Sequence, residues 1–392
     1  MVFVMTACAE NSSQPEKSQP AEQTTVQPTT MSAEEINDRK LDKFISDMTL
    51  EEKVGQMFFV RCPDEGAVQQ VSEYNIGGYI LFGRDFDGKT KDEVVDDIHS
   101  YQNEADIPLL IGVDEEGGTV VRVSSNPNLR ETPFLSPKDT YADGGWDAVK
   151  QDAEEKADLL LSLGINVNLA PVCDMTSDEY AFMYDRSFSS DVDMENRYVR
   201  TVVETSKSKK LGTVLKHFPG YGNNSDTHTG IAYDDRDYSE FENTDFKPFY
   251  QGIESGADCI LVSHNIVNCM DSEYPASLSQ KVHDILRNEF KFDGVIMTDD
   301  LIMDAITDFT GDEAAAVTAA KCGNDLLCCS SVDTQYPAVL EAVQNGEISE
   351  AQVDASVKRI LKWKQNLGIF NIDTYQKKVK STEPTDTVES EE

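Results

Sequence analysis

Residues 294–301 read Gly-Val-Ile-Met-Thr-Asp-Asp-Leu. Four residues suited to a buried strand, Val295 to Thr298, run straight into two carboxylates, Asp299 and Asp300. A continuous apolar run this short is the signature of a strand covered on both faces, as in parallel sheets. The acids mark where that strand leaves the core. The same pattern recurs at Val54–Val60, Gly78–Phe82, Leu109–Val113, Ile165–Pro171, Thr213–His217, Cys259–His264 and Asp325–Cys329, which makes eight runs in all. Amphipathic stretches separate them, among them Lys91–Glu104, Trp146–Leu163 and Lys281–Phe290, and Ser349–Leu367 closes the series. Thr49-Leu-Glu-Glu52 is a capping box that opens the helix leading into the first run. Eight β–α units predict an α/β protein, a single-domain (β/α)8 TIM barrel. A doubly wound open sheet, the alternative, normally offers fewer strands and a glycine-rich phosphate-binding turn near its start, which this chain lacks.

Outside the repeating pattern the composition changes. Residues 1–8, Met-Val-Phe-Val-Met-Thr-Ala-Cys, form an apolar stub ending in small residues and a cysteine, like the end of a signal peptide at a bacterial lipobox. Cys8 would then carry lipid. Residues 9–31 are rich in Ser, Gln, Thr, Pro and Glu, too polar to offset ordering entropy, and read as a tether. The expected organisation is a signal-peptide remnant and tether over 1–31, the barrel over 32–372, and a disordered acidic tail over 373–392. Such a protein sits at the cell surface as an extracellular lipoprotein and a monomer, touching the membrane only through its anchor; a cytoplasmic protein with a disordered N-terminus is the alternative. No run of about 20 apolar residues crosses a bilayer. With 72 acidic against 34 basic residues, the formal net charge of −38 repels phosphates, so nucleic acid is excluded as a partner. The eight cysteines include no CxxC pair; Cys259, Cys322, Cys328 and Cys329 lie in or beside apolar runs and read as small buried hydrophobes.

In a barrel of this kind reactive groups stand just past the C-terminal ends of the strands. Polar residues crowd there. Strand three runs into Gly112-Val-Asp-Glu-Glu-Gly-Gly118, strand four into Asn168-Leu-Ala-Pro-Val-Cys-Asp174, strand five into Lys216-His-Phe-Pro-Gly-Tyr-Gly222, strand six into Ser263-His-Asn265, and strand seven into Asp299-Asp300. Each alone has a bland explanation: Asp114 as a helix cap, His264 as a satisfied core histidine, Asp300 as half of an ion pair. Gathering so many charges at one mouth is costly unless they are paired or used, so the set points to a catalytic site.

These residues also carry a family resemblance. Gly112–Val123 (GVDEEGGTVVRV), Asn168–Asp174 (NLAPVCD), Asp185–Ser189 (DRSFS), Lys216–Gly230 (KHFPGYGNNSDTHTG), Pro275–Ser279 (PASLS) and Gly294–Leu301 (GVIMTDDL) occur in order over Thr49 to Leu367. The chain resembles glycoside hydrolase family 3, in its single-domain, NagZ-like β-N-acetylhexosaminidase branch. The resemblance implies a retaining exo-enzyme acting on terminal β-linked N-acetylglucosamine in cell-wall or chitin-type oligosaccharides, without cofactor or metal. It implies Asp299 as nucleophile, and an Asp-x-His pair in the loop after strand five, Asp226 and His228, as orienter and acid/base. An imidazole exchanges protons near neutral pH, and a carboxylate on its ring fixes the tautomer. The glycine-rich composition of Phe218 to Gly230 suits a segment that closes over sugar. By the same resemblance Asp114, Arg122, Arg186, Lys216 and His217 would hold the sugar hydroxyls.

The chain departs from the family pattern in four places. Tyr221 stands where many relatives have His, Asn223 where they have Asp, Thr119 where a basic residue is frequent, and the loop before Asp226 is about one residue shorter. These changes bear on the leaving-group side. A β-glucosidase of the same family, and transfer to phosphate instead of water, are the nearest alternatives. From other classes come a sugar-binding lipoprotein without turnover, and a metal-dependent hydrolase drawing on His217, Asp226, His228 and His264.

Overall fold

All eight apolar runs become strands: β1 (Phe58–Arg61), β2 (Gly78–Leu81), β3 (Leu110–Val113), β4 (Val167–Asn168), β5 (Gly212–Phe218), β6 (Cys259–Val262), β7 (Val295–Thr298) and β8 (Leu327–Cys329). The computed structural model describes residues 1–7, 31–227, 230–310 and 312–377, so Cys8 and His228 lie outside the described residues. The strands form one parallel sheet in the order β8-β1-β2-β3-β4-β5-β6-β7. A parallel bridge between Met297 and Leu326, with Thr298 N donating to Leu326 O at 3.1 Å, joins the two ends. The predicted (β/α)8 barrel is therefore what forms. Two further strands, Tyr233–Asp234 and Ile266–Val267, pair with each other in a separate small sheet.

Strand boundaries differ from the sequence expectation where side chains take over backbone work. Val54 to Gln56 end a helix, Leu50–Gln56, because the Thr49 capping box forms as expected: Thr49 Oγ1 accepts from Glu52 N, and Glu52 Oε2 accepts from Thr49 N at 3.0 Å. At the two-residue β4, asparagine amides supplement the main-chain ladder, Asn166 just before the strand and Asn168 within it. Asn166 accepts from Ile111 N at 2.9 Å and donates to Leu109 O at 3.1 Å, while Asn168 accepts from Glu115 N at 3.0 Å and donates to Glu115 O at 3.1 Å. Before β8, Asp325 accepts from Ile296 N instead of extending the strand. The expected Lys281–Phe290 helix splits into an α-helical turn, Gln280–Asp284, and a π-helical turn, Ile285–Glu289. The stretch around Trp146 belongs to Pro137–Ser162, which bends where Gly144 and Gly145 leave helical geometry.

The core follows from the double burial of the strands. Leu110, Ile111, Val113, Val214, Leu215, Val295 and Ile296 are all fully buried, each apolar side chain contributing roughly 1.5–3 kcal/mol. Outer helices complete it: Val353, Val357, Ile360 and Leu361 of Glu350–Asn366 are buried in one cluster with Leu110, Ile111, Val113, Val214 and Val295. Cys259, Cys322, Cys328 and Cys329 are buried free thiols, as their apolar settings predicted. No helix among the described residues is long and apolar enough to cross a membrane.

Candidate active site

β3 delivers its acids through a tight hairpin. Glu115 is fully buried, and its carboxylate accepts the backbone N–H groups of Arg122 (2.9 Å), Val123 (2.7 Å) and Ser124, with the Ser124 hydroxyl on its other oxygen. That clamp folds residues 116–124 back on themselves and sets Arg122 beside Asp114. Gly117 is required there: its φ is +102°, and a Cβ would stand 2.1 Å from the Leu135 carbonyl. Glu115 thus shapes the hairpin, leaving Asp114 and Glu116 to face the mouth.

β5 and the loop after β4 supply the cations. Lys216 Nζ lies 2.6 Å from both Asp114 Oδ1 and Glu116 Oε1. Arg186, from the loop after β4, grips Glu116 with two bonds, Nε to Oε2 at 2.9 Å and Nη2 to Oε1 at 2.7 Å. Burial alone would raise the Glu116 carboxyl. The two cations outweigh it and hold Glu116 well below the usual carboxylate range. Burial likewise works against the charge on Lys216, and the carboxylates of Asp114 and Glu116 reverse it, pushing the ammonium above its ordinary value. Glu116, Arg186 and Lys216 stay charged although nearly sealed from solvent.

His217, next along the strand, turns toward β4. Its Nδ1 is 2.7 Å from Asp174 Oδ2, its backbone N donates to the same oxygen at 3.0 Å, and its Nε2 is 3.4 Å from Arg186 Nη2. Asp174 is fully buried and also accepts Tyr221 N at 2.6 Å. Tyr221 itself connects to the loop that follows. Its hydroxyl meets Thr227 Oγ1 and accepts Thr227 N at 3.1 Å. Burial raises the phenol, the bonds from Thr227 lower it, and the charge of Asp299 raises it further. Tyr221 therefore stands within electrostatic reach of Asp299 while holding the residue next to His228.

β7 places Asp299 at the mouth. Asp299 and its neighbour Asp300 both follow the last strand residue, Thr298, and both border the cavity. The Asp300 carboxylate accepts Ser330 Oγ at 2.5 Å and Ile302 N at 3.3 Å, although Asp300 also borders the cavity. Burial raises the Asp300 carboxyl. His264 is a satisfied core histidine: Nε2 donates to Asp300 O at 3.0 Å, so Nδ1 accepts the Ser277 hydroxyl at 2.7 Å. Both ring nitrogens of His217 and of His264 are thus engaged. Among the described residues no group of three His, Cys, Asp or Glu side chains is arranged to hold a metal ion.

One cavity of about 530 Å³ opens over these strand ends. Asp114, Arg122, Arg186, Lys216, His217 and Asp299, all singled out from the sequence, line it together. Asp226 is described but does not line it; the place of His228 is not described. Glu116 and Asp174 were missed, though both stand inside quoted motifs, because their work is to anchor other side chains. Arg61, Phe82 and Phe182 were also missed; each borders the cavity without a local sequence pattern. Chemically, the set offers a strand-end carboxylate, Asp299, in one cavity with charged donors and acceptors. Such donors and acceptors bracket vicinal hydroxyls, and the carboxylate can attack an adjacent electrophilic carbon.

Comparison with known proteins gives a consistent picture. Residues 49–363 match the model of the glycosyl hydrolase family 3 N-terminal domain. The chain is 31% identical over 286 residues to a beta-hexosaminidase of Hydrogenovibrio crunogenus, covering 71% of this chain and 79% of that one. It is 32% identical over 273 residues to a beta-hexosaminidase of Nitrosomonas eutropha, covering 68% and 77% respectively. Among solved structures it resembles a glycoside hydrolase family 3 beta-N-acetylglucosaminidase from Paenibacillus, with a TM-score of 0.77 and 29% identity. That match covers 87% of this chain and 66% of the Paenibacillus chain.

Proposed function

The chain belongs to glycosyl hydrolase family 3 and is a glycoside hydrolase of the hexosaminidase type, and on that premise we propose that it removes terminal β-linked N-acetylglucosamine residues with retention through a covalent intermediate on Asp299. The observation that carries this reading is the sharing of one cavity by Asp299 and the donor wall of Asp114, Arg122, Arg186, Lys216 and His217.

Retention needs two displacements at the anomeric carbon. In the first, an Asp299 oxygen forms a bond to that carbon as the bond to the leaving oxygen breaks, and the leaving oxygen takes a proton from His228. In the second, His228 removes a proton from water, the water oxygen bonds to the anomeric carbon, and the ester to Asp299 breaks. Asp226 orients the His228 ring and stabilises its charged form. The donor wall holds the sugar hydroxyls while positive charge develops on the ring. Lys216 and Arg186 arrive already neutralised by Asp114 and Glu116, so the wall presents polarity without repelling that charge.

Hydrolysis of an aryl β-N-acetylglucosaminide beside the matching β-glucoside tests the assignment. The wild type is expected to prefer the N-acetylglucosaminide, and His228→Ala to lose roughly 10²–10⁴-fold in rate, the usual worth of a general acid/base. A clear preference for the glucoside would make the substrate assignment wrong. Product analysis in phosphate buffer separates free sugar from sugar 1-phosphate, and thus hydrolysis from phosphorolysis.

A further inference from the structure

Among the described residues, four Lys and Arg side chains border the catalytic cavity, Arg61, Arg122, Arg186 and Lys216, and three of them have carboxylate partners. Arg186 and Lys216 hold Glu116 and Asp114 at 2.6–2.7 Å, and Arg122 Nη2 lies 3.9 Å from Asp114 Oδ2. Arg61 has none at ion-pair distance: among the described residues no carboxylate comes within 4.0 Å of its nitrogens, and Asp85 feels its charge only from farther away. Its Nε is buried without a hydrogen-bond partner, and its guanidinium sits over the Phe82 ring, 4.5 Å from the centroid. Arg122 approaches the same ring at 5.6 Å. Two guanidiniums therefore share one aromatic platform at the cavity wall, in a chain whose net charge is −38. An aromatic face offsets part of the desolvation of a cation and keeps it extended, but leaves its hydrogen-bond donors unspent.

The position of Arg61 says which part of a substrate meets it. In the ring order β8-β1-β2-β3-β4-β5-β6-β7, β1 stands directly across from β5. The loop after β5 carries Asp226 and His228, so on the proposed reading the leaving group lies on the β5 side. Arg61 at the end of β1, Phe82 just past β2 and Arg122 after β3 then line the opposite side, facing ring atoms remote from the anomeric carbon. The exocyclic C6 group is the longest arm a hexose extends in that direction. We propose that Arg61, supported by Phe82 and Arg122, is a specificity residue for a terminal sugar carrying an anionic C6 substituent, a phosphate ester or a carboxylate. A planar guanidinium fork matches either group with two parallel N–H bonds. This inference rests on the hexosaminidase reading above and adds the class of sugar that the same site selects.

The test compares kcat/KM for 4-nitrophenyl β-N-acetylglucosaminide, its 6-phosphate and its C6 carboxylate, using wild type, Arg61→Met and Arg61→Lys. The wild type is expected to favour at least one charged substrate over the neutral one by tenfold or more. In Arg61→Met that charged-to-neutral ratio falls at least tenfold, and in Arg61→Lys it falls less, because an ammonium keeps the charge without the fork. The two charged probes tell phosphate from carboxylate. A wild type that turns over the neutral substrate without preferring either charged one overturns this inference alone. So does an Arg61→Met variant in which all three substrates lose equally. Turnover of none of the three by the wild type overturns the hexosaminidase reading and this inference with it.

Discussion

His217 Nδ1 lies 2.7 Å from Asp174 Oδ2, and its opposite nitrogen faces the Arg186 guanidinium at 3.4 Å. A guanidinium can only donate, so Nε2 accepts and the proton sits on Nδ1, directed at Asp174. The imidazole is thereby fixed in one tautomer and one plane, at the cavity wall. Replacing Asp174 by Ala frees the ring and leaves His217 N and Tyr221 N without their acceptor. Misplacement of this order is expected to lower kcat/KM by about 10²-fold. Asp174→Asn, which keeps an acceptor oxygen, is expected to lose less; steady-state kinetics on an aryl β-N-acetylglucosaminide reads both.

Tyr221→Phe removes one hydroxyl that Thr227 engages twice. A hydrogen bond of this kind contributes about 1 kcal/mol, or roughly fivefold. Because Thr227 precedes His228, the loss is expected in kcat, with KM for the same substrate changing less. A KM effect with kcat intact would place Tyr221 in sugar binding instead of loop positioning.

Lys364, in the helix Glu350–Asn366, is fully buried with its Nζ 2.7 Å from Gln56 Oε1, and burial lowers its pKa to about 7 from an ordinary 10.5. Between those values the unfolded chain binds the proton more tightly than the folded one, so this group makes stability rise as pH increases from about 7 to 10.5. Lys364→Met removes the titration. The wild type is expected to gain about 2–4 kcal/mol relative to the variant between pH 7 and pH 10, measured by denaturant unfolding at each pH. Parallel stability curves for the two proteins would contradict it.

Asp325 closes the barrel in a different way from the strands. Its 1% exposed carboxylate accepts from Ile296 N (2.9 Å), Ser356 Oγ (2.8 Å), Arg287 Nη2 (2.5 Å) and Arg359 Nη1 (3.0 Å), tying β7 to two outer helical segments just before β8. Asp325→Ala strands two guanidiniums and is expected to cost about 3–5 kcal/mol, read as a lowered denaturation midpoint. Arg359→Ala alone, at the more exposed edge, is expected to cost less.

The barrel was legible because its strands are buried on both faces, which turns each into an unbroken apolar run; their ends were not. Asn166, Asn168 and Asp325 look like turn residues in a sequence, yet their side chains replace main-chain partners, and that substitution is visible only across strands. The cavity was legible to the extent that a residue faces it from a strand end, as Asp114, Lys216, His217 and Asp299 do. Arg186 was found only through the family pattern. Glu116 and Asp174 act through their neighbours, and Arg61 is one basic residue after an apolar run, distinguished by the lack of any described carboxylate at ion-pair distance.

The central claim concerns a bond to Asp299. A 5-fluoro aryl β-N-acetylglucosaminide destabilises the positively charged transition states of both displacements, while its good leaving group preserves the first, so a glycosyl-enzyme accumulates if one forms. Intact-mass and peptide mapping of the protein after brief exposure is expected to show one added sugar, carried on the peptide that contains Asp299 and absent from Asp299→Asn. A sugar carried by another carboxylate, or turnover that leaves no labelled protein and releases the inverted anomer, would contradict it.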